Sequence, residues 1–416
     1  MELRSLATST VAYGLVNTLV TGVPILLLPL YLSHLEASAF GTLTVFGALV
    51  AFGVPIVGFA CNAAVQRRYV DVARPQLANY VSSCLCIVGV LASLGLMLCL
   101  TVPDKLLIPY GLSPYWVTLA ILAASGISVQ LVLLAIWQAE DRIVAYVWFQ
   151  SSYFLTLTAL PIFLVAYAGK GWQGAAIAQT LAYVTFGIIS LGLLRSDGLI
   201  GPRATLKDMR HALGYSVPLV PHLIAGWGVA MADRFIIASS CGMVAVGAYT
   251  LAFQVAQALN LLSSSFIQAF APWLFSSLAN RQTDRIHIIR LVVTIYTVLI
   301  IAAGCGLYIG LSWLAARLAD PRYHEAAVVA PWLIFGFTCN ALYRIPSCFL
   351  MYWERTAEIA VGTLVVAFAS VGLNLLMIPA YGVVAAGWTS AICFGLLLLY
   401  AVWRARRAMT VHGKQQ

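Results

Sequence analysis

Asn79 to Val102 reads NYVSSCLCIVGVLASLGLMLCLTV, twenty-four residues with no charge and no alternation of apolar and polar positions. An α-helix needs about 20 apolar residues to cross a hydrocarbon core roughly 30 Å thick. In that core every backbone N–H and C=O must be bonded internally, which a helix achieves within its own segment. A membrane β-barrel would show the alternation that is missing here.

Blocks of the same kind recur on both sides of this one. They place spans near 10–33, 40–63, 79–102, 115–138, 144–168 and 171–195, then near 213–238, 244–274, 289–313, 326–350, 357–378 and 382–403. The composition agrees: 62% of the 416 residues are hydrophobic and 9% charged, against roughly 45 to 50% apolar and about 25% charged in a soluble domain. The expected fold is an all-α integral membrane protein of about 12 transmembrane helices. Met1 to Leu6 run into the first block without an Ala-x-Ala-like processing site, so that block is expected to be a retained span.

A net charge of +9 would suggest nucleic acid in a soluble protein. Here the basic residues lie in short connectors, where they set orientation, and no nucleic-acid partner is expected. With the N-terminus inside, Arg4, Arg67, Arg68, Arg74, Arg142, Arg195, Arg203, Lys207, Arg210, Arg281, Arg285, Arg290, Arg355, Arg404, Arg406, Arg407 and Lys414 are cytoplasmic. The other side receives only Lys105, Lys170, Arg234, Arg317 and Arg322. Moving the register by one span would scramble this bias, so it supports the even span count together with cytoplasmic termini. The nine cysteines lack metal-ligand spacing and read as small buried hydrophobes. No metal or cofactor is expected.

The polar stretch from Arg195 to His211 divides the chain into an N-terminal six-helix lobe (1–195), a cytoplasmic linker (196–212), a C-terminal six-helix lobe (213–403) and a basic cytoplasmic tail (404–416). The lobes look like copies of one another. Tyr13 and Tyr215 open the first span of each, and Phe40-Gly41-Thr42-Leu43 and Val246-Gly247-Ala248-Tyr249 the second. Gly171-Trp172-Gln173-Gly174-Ala175-Ala176 and Gly382-Val383-Val384-Ala385-Ala386-Gly387 open the sixth. An even number of spans per copy makes them parallel pseudo-repeats about the membrane normal, an arrangement that places substrate in a central cavity.

Polar groups within spans are costly and should face the bundle interior or that cavity. Gln254, Gln257, Asn260, Ser264 and Gln268 fall on one face of the eighth span, which suits a cavity wall. Interhelical hydrogen bonding is the other reading. The first span carries Thr10, Tyr13, Asn17 and Thr21, and the second ends with Asn62 and Gln66. His222, beside Pro218 and Pro221, shares a face with Asp233. The prolines are expected to bend this helix. Arg344, one turn beyond Asn340, is the basic residue placed inside a span. It must meet a carboxylate, water or an anionic substrate, or else snorkel to the cytoplasmic face. Asp233 and Arg234 form either a structural ion pair or a substrate contact near the outer rim.

Ser216-Val217-Pro218-Leu219-Val220-Pro221-His222, followed by Ala232-Asp233-Arg234-Phe235-Ile236-Ile237 and then Val246-Gly247-Ala248-Tyr249, resembles the polysaccharide-exporting branch of the multidrug/oligosaccharidyl-lipid/polysaccharide (MOP) superfamily, which includes the O-antigen flippases. Leu373-Asn374-Leu375-Leu376-Met377-Ile378-Pro379 and Tyr381-Gly382-Val383-Val384-Ala385-Ala386 belong to the same resemblance, which covers nearly the whole chain. It implies a two-lobed, alternating-access flippase in a bacterial inner membrane. The substrate would be a polyprenyl-diphosphate-linked oligosaccharide of a lipopolysaccharide O-antigen or exopolysaccharide pathway. It also implies contact with membrane lipids, association with polysaccharide assembly proteins and a coupling proton or sodium ion, for which Asp233 and His222 are the residues to suspect. Family cavities use cationic residues for the diphosphate. This chain offers Arg344 within a span, with Arg234 and, at the cytoplasmic mouth, Arg67 and Arg68.

The alternative within the superfamily is a cation-coupled multidrug efflux antiporter, which usually needs a carboxylate in its N-terminal lobe. The interiors of the first six spans contain no Asp or Glu. An enzyme acting on lipid-linked sugars would need catalytic groups on a sizeable outer loop, and the outer loops are short, as from Pro103 to Pro114. A non-transporting scaffold would leave the polar stripe of the eighth span without a role.

Overall fold

The computed structural model describes residues 2–279, 285–318, 324–353 and 355–412. The chain is helical, with no strand among the described residues. Two compact units emerge, Met1–Met243 and Val244–Gln416. The first holds α1 (Glu2–Leu26), α2 (Leu28–His34), α3 (Ala37–Gly58), α4 (Cys61–Tyr69), α5 (Arg74–Cys99), α6 (Asp104–Leu107), α7 (Pro114–Ala139), α8 (Ile143–Ile162), α9 (Gly171–Ser196), α10 (Leu206–Ser216) and α11 (Leu219–Cys241). The second holds α12 (Met243–Ala279), α13 (Arg285–Leu318), α14 (His324–Tyr352), α15 (Thr356–Tyr381) and α16 (Val384–His412). Among the described residues, twelve helical segments are long and apolar enough to cross a membrane, the number expected.

Three departures from uninterrupted spans have local causes. Phe59 and Ala60 adopt left-handed conformations (φ 46° and 52°), so the second span breaks between α3 and α4 where a continuous helix to residue 63 is expected. Such backbone is rare for residues with a Cβ. The seventh span, expected from residue 213, is preceded by a separate helix, α10. Pro218 and Pro221 cannot donate to the carbonyls four residues earlier, which ends α10 and lets α11 restart with Pro221 in its first turn. Third, residues 196–212 do not form a free linker. The Gly201 amide donates to the Ala78 carbonyl (3.1 Å), the Thr205 amide to Ser83 Oγ (3.0 Å), and Thr205 caps α10 through the Asp208 amide.

The seventh span, assigned by sequence to the second lobe, packs on the first unit instead. Trp227 Nε1 donates to the Ala48 carbonyl of α3 (2.9 Å), and its ring lies 4.6 Å from that of Phe52. The compact units therefore divide at residue 243, one span later than the expected duplication. At the other end, the basic stretch from residue 404 continues α16 as helix to His412. Arg404 and Arg407 lie over the Trp403 ring.

Each unit is held by a close crossing of its fourth-type and sixth-type spans. In α7, a Cβ on Gly126 would come within 2.3 Å of the Tyr183 carbonyl oxygen of α9, so only glycine admits this approach. In α14, a Cβ on Gly336 would come within 3.0 Å of the Ser390 backbone of α16. Gly171 and Gly382, aligned by sequence as the opening of the sixth spans, both have positive φ (56° and 73°).

Candidate functional site

In the first unit, Asn17 is the centre of a neutral network. Its Oδ1 accepts from Tyr146 Oη (2.9 Å) and Gln150 Nε2 (3.1 Å) of α8. Gln150 Oε1 accepts from Gln130 Nε2 of α7 (3.1 Å), and Tyr146 Oη accepts from Gln138 Nε2 (3.2 Å). Gln130 and Gln150 are buried. In a medium without water such amides must find one another, and each interhelical hydrogen bond contributes about 0.6 to 2 kcal/mol.

Arg67 and Arg68 lie in the last turn of α4. Arg67 pairs with Asp71 at 2.8 Å, which raises its pKa above the ordinary arginine value. Arg68 lies over the Tyr80 ring, 5.7 Å from its centroid. Asp233 and Arg234 are both buried and bond to each other, Nη1 to Oδ1 at 3.0 Å, while the guanidinium also donates to the Ala230 carbonyl. His222 is exposed and sits about 16 Å along α11 from Asp233 at 1.5 Å per residue, so the structure does not bring the two together.

In the second unit, Asn340 Nδ2 of α14 donates to Asn260 Oδ1 of α12 (3.1 Å), and Asn260 Nδ2 to Gln257 Oε1 (3.2 Å). One turn below, Ser263 and Tyr296 Oη meet at 2.7 Å, and Tyr296 donates to the Ala341 carbonyl. The middle of the expected stripe is thus an interhelical contact. At its ends, Gln254 Oε1 is buried without a hydrogen-bond partner among the described residues, and Gln268 is exposed. Arg344 is half-buried in α14, with Tyr296, Tyr343 and Cys348 as its titratable neighbours and no carboxylate pairing with it among the described residues.

Charge clusters tie helix ends in both units. Arg74 pairs with Glu140 (3.0 Å), Arg142 pairs with Asp197, and Trp137 Nε1 donates to Asp197 (3.3 Å). In the second unit, Arg355 and Arg404 both pair with Glu358, each at 2.5 Å. Among the described residues, no three His, Cys, Asp or Glu side chains gather as a metal site.

Residues 6–278, more than half of the chain, match the family model described as "Polysaccharide biosynthesis protein". The chain belongs to that family. The resemblance of its motifs to the polysaccharide-exporting branch of the MOP superfamily is thereby borne out. The fold is shared with an inward-facing multidrug resistance MATE family transporter of the MOP superfamily (14% identity, TM-score 0.68, covering 97% of this chain and 96% of that one). It is shared too with the lipid II flippase MurJ in an inward closed conformation (14% identity, TM-score 0.66, 98% and 88%). A MATE protein in complex with MaL6 matches at 14% identity and TM-score 0.62, over 98% and 97% of the two chains. No curated protein matches. The chain is a multi-pass membrane protein of a transporter family, with family and fold neighbours that are transporters and not enzymes.

Sequence reasoning passed over Gln130, Gln138, Tyr146 and Gln150. The signal was present as polar side chains inside apolar blocks, but none of the three glutamines forms a stripe on its own helix. Their pairing exists only between helices.

Proposed function

We propose that the protein flips a polyprenyl-diphosphate-linked oligosaccharide, an O-antigen or exopolysaccharide unit, from the cytoplasmic to the outer leaflet of a bacterial inner membrane, by alternating access and with both termini cytoplasmic. The observation that carries this reading is Arg344: a guanidinium well inside a span, half-buried, with no carboxylate pairing with it among the described residues. An intramembrane arginine needs an anion or water, and a planar guanidinium matches phosphate oxygens two at a time. A diphosphate and hydrated sugars cannot cross hydrocarbon unaided, whereas the prenyl tail can stay in the bilayer. Membership of a polysaccharide biosynthesis family supports the same cargo. The efflux reading has no comparable support, because the first six spans carry no carboxylate for a coupling cation or cationic drug.

The test is the sidedness of polyprenyl-diphosphate-linked saccharide in spheroplasts with and without the protein, read with an impermeant reagent. Confinement to the cytoplasmic leaflet in its absence, relieved by the wild type and not by Arg344→Ala, supports the reading. An unchanged leaflet distribution in cells that have no other flippase overturns it.

A further inference from the structure

The break in the second span opens a cavity of about 210 Å³ inside the first unit. Its walls are Val54, Pro55 and Gly58 at the end of α3, Asn62 at the start of α4, Ser128 of α7, and Trp227 of α11. We propose that this cavity is a saccharide subsite that holds one sugar ring of the cargo. The inference rests on the glycolipid reading above and adds where a sugar is gripped.

Four observations carry it. First, size: pockets for drug-sized ligands enclose about 300 to 1,000 Å³, so this one suits a single ring and not an oligomer. Second, the wall includes an indole held in place by its bond to the Ala48 carbonyl and by Phe52. An immobilised aromatic face is the surface on which the C–H face of a pyranose packs, while its edge stays wet. Third, polar groups stand at the rim. Asn62 makes no hydrogen bond to another described side chain or backbone group, leaving an amide donor and acceptor for sugar hydroxyls. Ser128 spends its proton on the Ala124 carbonyl (2.7 Å), so its oxygen remains an acceptor. Fourth, left-handed Phe59 and Ala60 interrupt the helical ladder beside the cavity, and irregular backbone at membrane depth is tolerated where it is buried in protein or lines a water-filled cavity. Gly58 admits the close approach of α3 to α7 beside the cavity, since a Cβ there would come within 2.7 Å of Ser128 Oγ.

The cavity also lies toward the right end of the unit. Asn62 is on the helix that ends in Arg67 and Arg68, and Ser128 and Trp227 lie on the halves of α7 and α11 nearest the Arg142 connector and α10. This is the side from which a cytoplasmic substrate would load.

The experiment titrates the full chain in nanodiscs with methyl glycosides of N-acetylglucosamine, N-acetylgalactosamine, galactose and mannose, followed by saturation-transfer NMR. The wild type binds at least one of them. Asn62→Leu, which removes no protein hydrogen bond, and Val54→Phe, which fills the cavity, each weaken that glycoside at least tenfold, whereas Trp227→Phe retains part of the affinity. Absence of binding to all four, or unchanged affinity in whichever of Asn62→Leu and Val54→Phe keeps the wild-type thermal midpoint, overturns the subsite. The binding assay uses no lipid-linked substrate, so it separates the two failures. Sugar binding lost in the variants, combined with an unchanged leaflet distribution in cells, keeps the subsite and sinks the lipid carrier. Normal flipping combined with unaffected sugar binding in the variants sinks only the subsite.

Discussion

The helices α11 and α14 each carry an arginine within a membrane-spanning segment, and the two are housed differently. Arg234 in α11 is buried, bonded to the neighbouring Asp233 and to the carbonyl of Ala230 one turn back. Arg344 in α14 is half-buried among two tyrosines and a cysteine, with no carboxylate pairing with it among the described residues. A charge whose counter-ion is covalently next to it is already satisfied. Its removal disturbs folding. A charge with no such partner has capacity for a mobile anion, and under the proposed function its removal is expected to disturb transport rather than folding.

The largest expected effect probes the satisfied member. Asp233→Ala breaks a buried pair, for which a loss of about 3 to 5 kcal/mol is typical. It should sharply reduce membrane abundance and thermal midpoint in nanodiscs, and the double variant Asp233→Ala/Arg234→Leu should recover part of the loss. If Asp233→Ala is as stable as wild type, the contrast with Arg344 fails. Next comes the helix crossing that both units share. Gly126→Ala forces a Cβ against a backbone carbonyl and should cost about 1 to 3 kcal/mol. Gly336→Ala, with 3.0 Å available in place of 2.3 Å, should cost less, and equal costs would mean that the second crossing is the less able to adjust.

Arg344→Ala should leave abundance and thermal midpoint close to wild type while lowering flipping at least tenfold, or about 1.4 kcal/mol, with Arg344→Lys intermediate. Flipping at the wild-type rate would remove Arg344 from the mechanism and erase the distinction between the two arginines. The smallest effect belongs to the neutral network. Gln150→Leu should cost about 0.6 to 2 kcal/mol, and the double variant with Gln130→Leu should cost less than the sum of the singles because they share one hydrogen bond. Strict additivity would show that the two amides do not act as a pair.

Much of the architecture was legible before any coordinates. Apolar blocks such as 79–102 announce a helix by length alone, since hydrocarbon leaves the backbone no other local solution. The glycine-led openings at Gly171 and Gly382 identified equivalent positions whose backbones do share positive φ. Less legible was where helices break. Pro55 and Gly58 signal weakness in the second span, but the left-handed residues are Phe59 and Ala60, which carry no sequence mark for that conformation. Asn260 sits on the polar stripe of the eighth span and Asn340 one turn before Arg344, yet their bond to each other exists only once α12 and α14 pack. The seventh span was equally opaque: its composition fits either unit, and the Trp227 contact with α3 is a matter of shape.

The sequence by itself determined the membrane, the span count and which residues are too polar to face lipid, because the hydrophobic effect and backbone hydrogen bonding act on each segment separately. Only the tertiary structure decided which of those polar residues satisfy one another and which are left with spare capacity, because a hydrogen bond or ion pair across helices depends on the crossing geometry of two distant segments. That is why Arg234 and Arg344, equally conspicuous as arginines among apolar residues, part company only once their neighbours are in place.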